Sequence, residues 1–141
     1  MKLLLSIFTI LLCGCTSHYA AVESPIQPAS CKSAHCVGIA ADGNQISVYL
    51  LNQYNEIKAV QLVLDGNPIT LEQHGDSTLF SPVASGHRIS KKQYQLSNQL
   101  SDQLKQATRI SIRVKLKSYS IENGLKDIGY QSPAYLQLVN G

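Results

Sequence analysis

The clearest alternation in the chain runs from Arg109 to Lys117. Ile110, Ile112, Val114 and Leu116 are apolar, while Arg109, Ser111, Arg113, Lys115 and Lys117 are polar. A period of two sends successive side chains to opposite faces, so the segment predicts a half-buried strand with its four cations on one face. Earlier runs carry the same period. Cys36 to Ala41 and Gln45 to Leu51 flank Asp42-Gly43-Asn44, where Asp-Gly supplies the positive φ of a tight hairpin turn, and Ile46, Val48 and Leu50 fall in step. After a polar turn over 52–56, Ile57 to Leu64 predicts a strand. Asp65-Gly66-Asn67 then closes a hairpin into Pro68 to Leu71, a proline being tolerated where a strand begins. His74 to Ser77 reads as a turn, Thr78 to Val83 as a short strand and 84–92 as a polar loop containing Gly86.

Two segments switch to the helical period. Leu96, Leu100, Leu104 and Ala107 form one stripe over Ser97 to Ala107, with Ser97 placed to cap the start. Ser132-Pro133 supplies the cap and first position of a short C-terminal helix carrying Leu136 and Val139. Between them, Asn123-Gly124 signals a further hairpin that returns the chain through Leu125 to Tyr130. The expected class is α+β: a meander of four or five antiparallel strands built of hairpins, one amphipathic helix and a short C-terminal helix on one face. A small β-barrel is the alternative.

The N-terminus follows neither period. Met1-Lys2 precede the mainly apolar run Leu3 to Leu12, then Cys13-Gly14-Cys15. A positive start and a short apolar stretch have the layout of a secretory signal, too short for the roughly 20 residues a membrane span needs. Leu12-Cys13-Gly14-Cys15 resembles the lipobox of bacterial lipoproteins: a branched apolar residue, two small residues, then Cys. The resemblance implies that residues 1–14 are a signal peptide and that Cys15 becomes the first mature residue, carrying a thioether-linked diacylglycerol. An ordinary signal-peptidase site in the same small residues is the alternative. Several acyl chains, at about 0.8 kcal/mol per buried CH₂, would hold the chain on a bilayer. Thr16 stands where an Asp would retain a Gram-negative lipoprotein in the inner membrane, which implies an outer-membrane location facing the periplasm.

Residues 15–30 contain Pro25 and Pro28 without a clear period and read as the lipidated Cys and a flexible tether, the alternative being that part of the segment packs on the domain as an edge strand. Residues 31–141 then form a single β-rich domain, one core being the natural expectation at this size. Losing 1–14 removes Lys2 and lowers the formal charge from +3 to +2, too weakly basic to argue for nucleic acid. Export makes a disulfide between Cys31 and Cys36 the expected state. The alternative is a metal site using Cys31, His35 and Cys36, with only three local ligands and no zinc spacing.

Chemistry is sparse. His74, Asp76 and Ser77 lie too close in one turn to align a nucleophile, base and orienter, and no nucleophile elbow occurs. Asp102, on the helix, is fixed near no second carboxylate. No catalytic residue, metal site or cofactor is therefore assigned. The candidate contact surface is the cationic strand face, Arg109, Arg113, Lys115 and Lys117, together with Ser85, His87 and Arg88 of the loop around Gly86. Such cations suit an anionic envelope component or an acidic protein, unless they merely keep the sheet wet or are neutralised by Glu122 or Asp127 across the hairpin. Ala84-Ser85-Gly86-His87-Arg88 also resembles the Ser-Gly loop of membrane-bound lysozyme inhibitors, small β-barrel lipoproteins. That resemblance implies Ser85 entering a lysozyme cleft, although Ile89 stands near the place of the family's aromatic residue. The expected function is a membrane-anchored, non-catalytic binding or accessory module. A lysozyme inhibitor and a periplasmic hydrolase using His74 or His87 are the alternatives.

Overall fold

The computed structural model describes residues 25–32, 35–75, 77–82 and 87–141. The lipobox with Cys13 and Cys15, His18, Asp76, Ser85 and Gly86 lie outside the described residues. The protein is α+β, with every strand pairing antiparallel. The strands form two open sheets rather than one meander or a closed barrel. In sheet A the order is β1 (Gln27–Pro28), β2 (Cys36–Asp42), β3 (Gln45–Leu51) and β8 (Arg88–Gln95); β6 (Glu72–Gln73) and β7 (Leu79–Pro82) both pair with the far edge of β8. In sheet B the order is β11 (Tyr130–Gln131), β10 (Ser120–Asp127), β9 (Ile110–Lys115), β4 (Ala59–Leu64) and β5 (Asn67–Thr70).

The alternation in the chain explains how the sheets face each other. Ile39, Ile46, Val48 and Leu50 from sheet A share one buried cluster with Val60, Leu62, Ile112, Val114 and Leu125 from sheet B. The hairpin turns form as their residues dictate. Asp65 and Gly66 hold φ of 48° and 89°, the double positive φ of a type I′ turn, between the paired residues Leu64 and Asn67. The Asp65 carboxylate then accepts from the backbone N–H groups of Thr108 and Arg109, at 3.1 and 2.8 Å.

Helix α1 (Asn98–Gln106) is capped by the Ser97 hydroxyl and helix α2 (Pro133–Asn140) by the Ser132 hydroxyl. Leu96 N–H bonds to Asn44 O of sheet A, and the Asp65 contacts tie the far end of α1 to sheet B. So α1 bridges the two sheets at the end that carries their tight turns. Leu100, Leu104, Ala134, Tyr135 and Leu138 enter the same core. In α2 Leu136 is exposed, because the buried stripe runs through Ala134, Tyr135 and Leu138 instead.

Three expectations are corrected. Arg88 to Lys92 are not loop but the first part of β8, an interior strand. Asn123-Gly124 is not a turn. It lies within β10 at a register irregularity, and the chain reverses instead between the paired Lys115 and Ser120. Asn123 is buried, and its Oδ1 accepts the Val37 N–H at 2.8 Å, stitching sheet B to sheet A. Finally, the part of the presumed tether nearest the domain is folded onto it. Gln27 and Pro28 pair with Ile39 and Gly38, Ala29 is buried, and Ser30 bridges to Gly124. The Cys31–Cys36 disulfide, with Cα atoms 5.3 Å apart, fixes this arm to the start of β2 and takes both sulfurs of the alternative metal site.

Candidate functional site

The inner face of β8 is polar where a core strand is normally apolar. Ser90, Lys92 and Tyr94 pair with Leu50, Val48 and Ile46, so all three point between the sheets. Two of them hold the connection from β3 to β4. Ser90 Oγ accepts from Asn55 N–H at 2.9 Å and donates to Gln53 O at 2.8 Å. Lys92 Nζ donates to Ile57 O at 3.0 Å, and Thr78 Oγ1 accepts from Ile57 N–H at 3.0 Å. Buried polar groups need such partners, and here the partners are loop backbone. The connection crosses from sheet A to sheet B in a fixed path that begins at Asn52, with φ of 64°.

That path presents Tyr54 at the surface. Tyr54 is 44% exposed, next to Phe80 at 52% and Leu79 at 58% on β7. The Tyr54 and Phe80 rings meet edge to face, with centroids 5.8 Å apart and planes at 75°. The Arg88 guanidinium lies 5.9 Å from the Tyr54 centroid. On the other side of Tyr54, the Tyr119 hydroxyl accepts from Asn55 Nδ2 at 3.3 Å and donates to Gln53 Oε1 at 3.4 Å; the His35 ring stands 6.4 Å from the Tyr119 ring. Gln53 Nε2 is buried and has no partner among the described residues. Tyr54, Phe80, Tyr119 and Arg88 thus gather at the end of the two sheets opposite α1. Exposed apolar side chains scattered singly carry no meaning, whereas a cluster with a cation at its rim is a candidate contact surface.

The cationic strand face is organised differently. Arg113 Nε donates to Glu122 Oε2 at 2.9 Å, and Ser111 Oγ donates to Glu122 Oε1 at 2.6 Å. Arg113 also reaches Gln61, which in turn reaches Thr70, so the outer face of sheet B is a hydrogen-bonded ladder across four strands. Arg109 Nε donates to Asp127 Oδ1 at 3.1 Å. The Ser111 hydroxyl first, and then Arg113, hold the Glu122 carboxyl below its ordinary value. The Ile128 N–H first, and then Arg109, do the same for Asp127. Both arginines are therefore matched with a carboxylate. Lys115 and Lys117 are exposed beside Glu56 and Lys58, which form an ion pair at 2.8 Å.

His87 and Arg88 belong to the aromatic end, where His87 is exposed. His74 lies at the opposite end, its Nε2 and Nδ1 at 3.3 and 2.7 Å from the side-chain amides of Gln45 and Gln95. In both contacts the atom facing the ring is a glutamine amide nitrogen, Nε2, one at each ring nitrogen. That arrangement orients a ring between two amides, and no carboxylate among the described residues bonds to it. Asp102 is exposed on α1. A groove of about 640 Å³ runs along sheet B past Arg109, Ser111, Glu122 and Asp127, the members of the ion-paired ladder.

Sequence reasoning found Arg88 and His87 but missed Tyr54 and Tyr119, since an isolated aromatic in a turn carries no periodic signal, and Leu79 and Phe80, since a short strand without alternation does not show which side chains stay exposed. No family model, no curated protein and no solved structure matches the chain.

Proposed function

We propose that this protein is a lipid-anchored envelope module that binds a partner non-catalytically through the Tyr54, Phe80 and Arg88 surface. Its N-terminal signal would direct export, and the lipid on Cys15 would hold it on a membrane, facing the periplasm from the outer membrane. Residues 16–24 are nine residues and reach at most about 30 Å, which keeps the domain close to the bilayer and raises its effective concentration there. The observation that carries the reading is the edge-to-face pair of half-exposed rings capped by a guanidinium. Aromatic and arginine side chains dominate binding energy where proteins meet, and these are held by a buried network rather than left loose.

The anionic-surface reading of Arg109 and Arg113 is weakened by their carboxylate partners. Exposed pairs of this kind add little stability, yet they leave no net charge to attract a polyanion. The test is retention of purified residues 15–141 carrying Cys15→Ser, which leaves no acyl chain to insert, on envelope fractions, compared across two variants. Tyr54→Ser with Phe80→Ser should abolish retention, and Arg113→Gln with Lys115→Gln and Lys117→Gln should leave it. The reverse pattern moves the contact to sheet B and contradicts the proposal.

A further inference from the structure

The sequence contains three arginines. Arg109 and Arg113 meet Asp127 and Glu122. Arg88 meets no carboxylate among the described residues and lies over Tyr54 instead. A guanidinium stacked on a ring is held in place while its N–H donors stay available for a carboxylate.

The strand beside it has an open edge. β7 pairs with β8 from Leu79 to Pro82, and no strand among the described residues pairs with its other side. Native edges are commonly shortened or protected by charge and proline. Here Pro82 closes one end, leaving Leu79 to Ser81, whose two large apolar side chains are more than half exposed. Phe80 sits on the inner-face side with Ser90, against Tyr54, and Leu79 points to the other face with Lys91. An added strand would find backbone donors and acceptors along the edge, apolar cover on both faces, and at the rim Arg88, which meets no carboxylate among the described residues.

We propose that β7 accepts an extended acidic peptide segment of an envelope protein by strand addition. Its backbone would pair with the open edge, its apolar side chains would cover Leu79 and Phe80, and one carboxylate would meet Arg88. This deepens the binding-module reading and rests on it. The open edge favours a peptide over a lipid surface, because only a backbone can pair with it. The unmatched Arg88 favours an acidic peptide over a second copy, which would bring cation toward cation.

The test uses the full mature chain in detergent and a random dodecapeptide phage library as the probe. Enriched peptides should alternate apolar residues with Asp or Glu. The tightest of them should slow hydrogen exchange at β7 amides, and should bind about tenfold more weakly to Arg88→Gln, the loss of one charge-assisted pair. Arg88→Gln should keep the parent's unfolding midpoint, so that the loss reports binding. The proposal is overturned if no peptide is enriched, if the enriched peptides are basic, or if protection falls outside β7. It is also overturned if sedimentation shows a dimer that Phe80→Ser dissolves. If peptides fail but vesicles of phosphatidylglycerol and phosphatidylethanolamine retain the acyl-free Cys15→Ser chain through Tyr54 and Phe80, strand addition falls and the binding-module reading stands. If retention on envelope fractions is also indifferent to Tyr54→Ser and Phe80→Ser, both fall.

Discussion

Replacing Ser90 by Ala removes one oxygen from the inside of sheet A. Ser90 is fully buried, and its hydroxyl serves two backbone groups of the β3–β4 connection, Asn55 N–H at 2.9 Å and Gln53 O at 2.8 Å. Alanine leaves one donor and one acceptor without their partner. Each buried group left unmatched costs about 1–3 kcal/mol, and partial relaxation of the loop recovers some of that, so the expected loss is about 3 kcal/mol. In a domain of this size that lowers the melting temperature by roughly 10 °C. Ser111→Ala is the control: Ser111 also makes a short bond, to Glu122, but on the outer face, and it should change stability by about 0.5 kcal/mol or less. Urea unfolding followed by circular dichroism gives both values, and hydrogen exchange reports the Asn55 amide directly. A Ser90→Ala protein within about 0.5 kcal/mol of the parent, with Asn55 protection intact, would refute the claim that β8 holds the loop.

Replacing Cys31 and Cys36 together by Ser opens a six-residue loop and should cost roughly 2 kcal/mol by loop entropy, measured in the same urea titration against the oxidised parent. Tyr94 is fully buried with no partner for its hydroxyl among the described residues, and burial pushes its phenol up to about 12. Because the folded value lies above the unfolded 10, stability should be complete below pH 10 and fall as pH rises toward 12. Tyr94→Phe should remove that alkaline loss and at neutral pH should hold or raise stability, whereas a drop of more than about 1 kcal/mol would mean that the hydroxyl is satisfied. Glu122 titrates below its ordinary 4.5, so its contribution is present above that value and is lost as pH falls through the folded one. Carbon-detected NMR should show the Glu122 midpoint rise in Ser111→Ala, and an unmoved midpoint would deny the hydroxyl its role.

What was legible beforehand follows from where periodicity and end signals agree. Ser97 and Ser132 were read as caps and both cap helices, because a hydroxyl before an amphipathic run has one obvious use. The alternation of β9 is equally plain; neutralisation by Glu122 or Asp127 is one of the readings the sequence offers, although the hairpin that brings them across reverses between Lys115 and Ser120 and not at Asn123-Gly124. β8 was lost because Ser90 and Lys92 occupy its inward positions, and a strand whose core face serves a loop looks polar on both faces. Asn123-Gly124 misled for a similar reason: Asn usually bends a chain, but here its amide accepts a backbone N–H from the other sheet. The division into two sheets was not legible either, since it depends on the path of 52–58 rather than on any single strand. The candidate surface inherits that blindness. Tyr54 and Phe80 become neighbours only after the connection has crossed the end of the sheets.

The most direct test places a photoreactive benzoylphenylalanine at position 80 of the full-length protein and irradiates living cells, with the same residue at Gln99 on α1 as the comparison. A discrete adduct from position 80, diminished by Arg88→Gln and missing from position 99, is the predicted outcome. No adduct from position 80, or the same products from both positions, would contradict the assignment of the Tyr54, Phe80 and Arg88 end as the surface that meets the partner.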